Sequence, residues 1–156
     1  MKLKTLLVYI ALSAVPTMAP AQSSPYQAAV VVNGIGVTYH EIDQRTLMLE
    51  TLGTLGDVEK QARETLIDER LQQQAARQLG VAITEDLLKA GMDEFAARAN
   101  ITGEQMTAEF AKEGVDPEAF ADFVRAGLIW RSVVSQKFQS KAIVSEAELD
   151  AAINLG

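Results

Sequence analysis

The chain has no cysteine, one histidine and four prolines among 156 residues. Lack of cysteine excludes a disulfide framework, a thiolate metal site and a thiol nucleophile. Such a domain, if exported, is held by packing alone, and residues 22–156 are long enough to bury one ordinary core. The lone histidine, His40, has no motif-borne second ligand with which to hold a metal and no motif-placed serine or acid with which to form a triad. No catalytic residue is assigned, and no metal or cofactor is expected. Basic residues are also short, with 14 Lys and Arg against 21 Asp and Glu for a formal charge of −7. Phosphate backbones are bound by neutralising them with Lys and Arg, so this balance excludes nucleic acid as a partner.

Long apolar runs are absent except at the start. Lys2 and Lys4, the apolar stretch from Leu6 to Val15, and Ala19-Pro20-Ala21 have the three-part pattern of an export signal, with cleavage after Ala21. A retained anchor would need roughly 20 apolar residues, and Pro16 and Pro20 interrupt the run before that. No stable membrane insertion is therefore expected after cleavage. Removal of the signal takes away Lys2 and Lys4 and no acid, which makes the chain still more acidic. Residues 22–27, with Ser23, Ser24 and Pro25, are polar and too short to fold, and read as a linker.

The remainder is predicted to be mainly α. Ala28 to Val32 is a β-prone run that stops at Asn33-Gly34 and resumes at Gly36-Val37, the composition of a tight hairpin. Thr38 and Glu41 form a capping box that opens a first helix bearing Ile42, Leu47, Met48, Leu49 and Leu52. Asp57 caps a second helix, in which Val58, Ala62, Leu66, Leu71, Ala75 and Leu79 are expected on one buried face and Gly80 ends the run. Lys60, Arg63, Glu64, Asp68, Glu69 and Arg70 are expected to form its solvated face. Thr84 starts a third helix that Asn100 ends. Thr102 and Gln105 box a fourth, and Asp116-Pro117-Glu118 starts the longest, with Asp116 as the cap oxygen. That last helix carries apolar residues on more than one stripe from Phe120 to Phe138, which predicts a central position. Ala142 to Val144 is a short β-prone run expected to pair with the hairpin, and Ser145 with Glu148 opens one more helix.

Other patterns that suggest chemistry have simpler readings. Adjacent acids such as Asp68-Glu69 and Asp93-Glu94 point in different directions on a helix. Asn33-Gly34-Ile35-Gly36 lacks the third glycine and the βαβ setting of a phosphate loop. Asn100-Ile101-Thr102 reads as a helix terminus. What remains is adaptable apolar surface. Met48, Met92 and Met106, with Phe95, Phe110, Phe123 and Trp130, are flexible or aromatic side chains of the kind that fill cores and also line peptide grooves. These seven are the client-binding candidates.

The stretch Val30-Val31-Val32-Asn33-Gly34-Ile35-Gly36-Val37-Thr38-Tyr39-His40-Glu41-Ile42-Asp43 resembles the opening of the N-terminal domain of the SurA-type periplasmic chaperones. The likeness continues through Arg63 to Leu71, through Leu79-Gly80-Val81-Ala82-Ile83-Thr84, through Asn100-Ile101-Thr102 leading to Phe110 and Gly114, and into a long helix with Arg125 and Arg131. The resemblance implies a helical domain whose terminal segments pair in a small sheet and whose groove takes unfolded outer-membrane protein segments in the periplasm. Full-length relatives continue into parvulin-type prolyl isomerase domains, whose polar catalytic cluster has no counterpart in this sequence.

The organisation expected is a signal peptide over 1–21, a linker over 22–27, a chaperone domain over 28–145, and over 146–156 the start of a connecting helix that the sequence interrupts. The expected function is ATP-independent holding of unfolded outer-membrane proteins in an apolar groove. Two other readings stand beside it: the front part of a prolyl cis-trans isomerase whose catalytic domain lies beyond residue 156, and a structural or adaptor module whose groove is filled by a helix. Oligomeric state is left open.

Overall fold

A tight turn starts the fold. In the computed structural model, which describes residues 24–139, strands β1 (Ala28–Val32) and β2 (Ile35–Thr38) pair antiparallel with Val32 opposite Ile35. Asn33 and Gly34 between them have φ of 50° and 83°, the two positive values a two-residue hairpin turn requires. The expected export signal, the expected strand at 142–144 with its pairing to the hairpin, and the helix expected to open at Ser145 fall on residues outside those described.

Thr38 ends β2 and caps helix α1 (Tyr39–Thr51), and both halves of the expected capping box are present. The Glu41 carboxylate that closes the box also receives the Arg70 guanidinium, while Arg70 Nε donates to the Gly36 carbonyl at 3.1 Å. The hairpin is thereby pinned to α1 and to helix α2 (Val58–Leu79). Beneath it, Val37, Ile42 and Leu66 make a small apolar cluster. Arg70, expected on a solvated face, is mostly buried instead, because its partners come from α1 and β2.

Helix α3 (Glu85–Ala96) is capped by Thr84 and passes through a short turn, Ala97–Ala99, to Asn100 at a positive φ of 59°. Helix α4 (Gly103–Lys112) has the expected Thr102–Gln105 box. Helix α5 (Pro117–Phe138) packs against α1, α2, α3 and α4, as a helix apolar on several sides should. Its Phe120 is fully buried and meets the Phe95 and Phe110 rings at centroid distances of 5.6 and 5.2 Å. Met48, Leu88, Met106, Val115 and Val124 complete that core.

Two further local expectations are corrected. Asp116 makes no side-chain cap bond; its Oδ2 lies 3.0 Å from His40 Nε2, a partner from α1 that sequence spacing does not reveal. The buried face of α2 is also different. Ala62, Leu66, Glu69 and Ala76 are buried, whereas Leu71 and Leu79 are exposed. Leu71 lies five residues beyond Leu66, and at roughly 100° per residue that step turns it about 140° away. The leucines expected to continue the core form a second stripe.

Candidate functional site

The second stripe of α2 faces the second stripe of α5 across a groove. One compartment, of about 390 Å³, has Phe95, Phe123 and Trp130 among its walls, with Gly91, Val124 and Gly127 between them and Asp68, Glu69 and Gln72 of α2 opposite. Another, of about 610 Å³, continues past Trp130 between Leu71, Ala75 and Leu79 of α2 and Val133 and Phe138 of α5. Asp68, Gln72 and Trp130 belong to both, so the two compartments adjoin. Trp130, Leu71 and Phe138 are 44, 46 and 45 % exposed. Large apolar side chains exposed together mark interaction surfaces, whereas scattered ones do not.

The aromatic wall is held from below. Phe123 and Phe95 meet in an edge-to-face arrangement at 5.6 Å, and the Arg45 guanidinium lies over the Phe123 ring, 5.1 Å from its centroid. Arg45 is only 3 % exposed and donates two hydrogen bonds to the Glu69 carboxylate, at 2.6 and 3.1 Å. A buried charge needs such a partner, since desolvation of an unpaired one is expensive. The mouth of the groove is charged: Arg131 reaches Glu94 at 3.4 Å, and Arg98 lies over the Phe95 ring at 5.5 Å. An apolar floor with a polar rim is the usual anatomy of a polypeptide-binding surface.

The seven candidate residues are thus divided by the fold. Trp130 is exposed in the groove, and Phe95 and Phe123 are half-buried in its wall. Met92 is half-buried and packs against the core from α3, in the wall of a separate small cleft near Gly103. Met48, Met106 and Phe110 are buried in the core and support the helices without facing the groove. Sequence reasoning missed Leu71, Leu79 and Phe138 as groove residues and Arg45 and Glu69 as the pair beneath it. A signal for Arg45 did exist: it falls midway between Ile42 and Met48 at three-residue steps, on the buried face of α1.

A second cavity, of about 430 Å³, lies on the other side of the Arg45–Glu69 pair and is lined mainly by charged groups, among them His40, Glu41, Arg70, Asp116 and Asp122. Burial would raise the Glu41 carboxyl, but the Thr38 amide and then Arg70 outweigh it and hold the group below the usual carboxylate range. Asp122 is raised, first by burial, with Glu118 and Glu41 adding repulsion that Arg125 opposes. These charges are largely engaged with one another, so the apolar groove is the better candidate for binding. Among the described residues no helix is long and apolar enough to cross a membrane.

The sequence is similar to those of known proteins. The chain is 29 % identical over 144 residues to Chaperone SurA of Dechloromonas aromatica, covering 85 % of this chain and 33 % of that one. It is 30 % identical over 139 residues to Chaperone SurA of Pseudomonas fluorescens strain Pf-5, covering 84 % and 32 %. For Chaperone SurA of Aromatoleum aromaticum the figures are 28 % over 160 residues, 94 % and 36 %. The chain therefore spans about a third of the length of these curated relatives. No solved structure matches it. The family profile described as SurA N-terminal domain matches residues 27–134, from the residue before β1 to near the end of α5. With the hairpin, both capping boxes and most of the long central helix inside that match, the chain belongs to the SurA N-terminal domain family.

Proposed function

We propose that residues 28–145 form a chaperone module that works in the periplasm after cleavage behind Ala21 and holds extended segments of unfolded outer-membrane proteins without ATP. The observation that carries this reading is the groove that runs from Phe95 and Phe123 past Trp130 to Leu71, Leu79 and Phe138. Relatives named as chaperones support it. Met48, Met106 and Phe110 act as the core on which the groove is built, and Phe95, Phe123 and Trp130 touch the client, with Met92 packed behind them.

The energetics favour reversible holding. Apolar burial stabilises a bound segment by about 25 cal/mol per Å². Much of that is offset by lost translational freedom and by ordering of an unfolded client, so micromolar affinity is expected. Trp130, the only tryptophan, is a built-in reporter. Addition of an unfolded β-barrel protein should shift its emission to the blue and suppress light scattering, with or without ATP. Unchanged emission and unchanged aggregation at excess chain would overturn the reading.

A further inference from the structure

Nine glycines lie among the described residues, and eight have a structural cause. Five sit at positive φ in turns or helix ends. At Gly36, Gly91 and Gly103 an added Cβ would meet a neighbour at 3.2 Å or closer. Gly127 has neither reason. It lies in the interior of α5, and a Cβ there would meet nothing within 4 Å. Glycine is a poor residue in a helix interior compared with alanine, so this position lowers helix stability without allowing any closer packing.

The empty space beside Gly127 belongs to the first compartment of the groove. Phe123 is four residues before it and Trp130 three after, so all three share one face of α5. Seven residues separate the two aromatics by roughly 10.5 Å along the axis. Aromatic pairs settle with centroids about 4.5–7 Å apart, so a ring midway between them would contact both. The intervening turn must then be bare, and Gly127 leaves it bare.

We propose that Gly127 is the specificity-determining residue of the groove. It opens a notch, one ring wide, that receives a flat aromatic side chain of the bound segment between Phe123 and Trp130. This rests on the groove reading given above and adds to it the place and size of one side-chain site.

The test uses the chain as the cell processes it, in wild-type, Gly127→Ala and Gly127→Leu forms. The probes are fluorescein-labelled ten-residue Gly/Ser peptides with a central Trp or Leu, read by anisotropy, together with an unfolded β-barrel protein read by light scattering. Gly127→Ala should raise Tm by about 2–5 °C, the effect of better helix propensity at an unhindered site. Wild type should prefer the Trp peptide. Gly127→Leu should fold at least as stably, weaken the Trp peptide about tenfold by loss of two ring contacts, and bring the Trp and Leu peptides close to parity. If Gly127→Leu holds the Trp peptide as tightly as wild type does, the notch is refuted while the groove stands. If wild type binds neither peptide and leaves the barrel protein aggregating, both fall. A dimer that Gly127→Leu dissociates would assign the notch to a second copy and overturn the client site.

Discussion

Replacement of Glu69 by alanine should damage the fold far more than its place on a charged stretch of α2 suggests. Arg45 is 3 % exposed, and the side chain of its carboxylate partner is 11 % exposed and accepts from Nη1 and Nη2, while Nε is buried without a partner among the described residues. Removal of one member of a buried pair leaves the other charge uncompensated, at a cost of about 3–5 kcal/mol. Native domains are stable by only about 5–15 kcal/mol, so about a fifth or more of the total is at stake. For a domain of this size the loss should appear as a Tm lower by roughly 10–20 °C. Arg45→Met should do similar harm, since it strands Glu69. The double variant Arg45→Met with Glu69→Leu removes both charges and keeps apolar volume, which is often neutral or stabilising. Chemical denaturation of wild type, Arg45→Met, Glu69→Leu and the double variant closes a double-mutant cycle. Coupling of about 2 kcal/mol or more is expected; effects that add within about 0.5 kcal/mol would refute the argument.

Gly103→Ala is expected to be destabilising, because the new methyl would lie 2.9 Å from Met92 Cβ and 3.0 Å from its carbonyl carbon; overpacking of this kind costs about 1–3 kcal/mol, and an unchanged midpoint in urea would contradict the tight crossing of α3 and α4. Glu41→Gln should reduce stability at neutral pH and matter less in acid. The Glu41 carboxyl is held below its ordinary value, so its contribution is present above the unfolded-state pKa and is lost as pH falls through the lower folded value. Melting of both proteins from pH 7 to pH 3 checks this, and a gap that stays constant over that range would refute it.

Local chemistry made much of the fold readable. The boxes at Thr38–Glu41 and Thr102–Gln105 and the turn at Asn33-Gly34 involve neighbours in sequence, so their signals are complete within a few residues. The Arg45–Glu69 pair spans 24 positions, and no local spacing announces which distant acid meets a buried cation. Leu71 and Leu79 depart from the expected buried face for a related reason. Steps of four and five residues both look helical when counted singly, yet one five-residue step between Leu66 and Leu71 moves the stripe to a different face. The groove exists because that stripe leaves the core, so the error concerned the very residues that build the candidate site. Among the aromatics, Phe110 and Trp130 looked alike in sequence, and only packing separates the buried one from the exposed one.

The buried ion pair and the groove are connected through one ring. Phe123 touches both the Arg45 guanidinium and the Phe95 ring, so a charge over its face helps to hold it in the wall. Attraction of a cation to a ring face strengthens when both are desolvated, and Arg45 is desolvated. An apolar residue in place of Arg45 would fill the same volume but would leave Phe123 free to settle into the core beside Phe120. Stability and binding should then separate: the charge-free double variant would melt near wild type while its groove loses the Phe123 side of the aromatic notch. A variant that keeps both full stability and full peptide affinity would mean that the pair is a packing element alone. Loss of affinity with stability retained would mean that the charge is kept beneath this helix because it aims a ring at the groove.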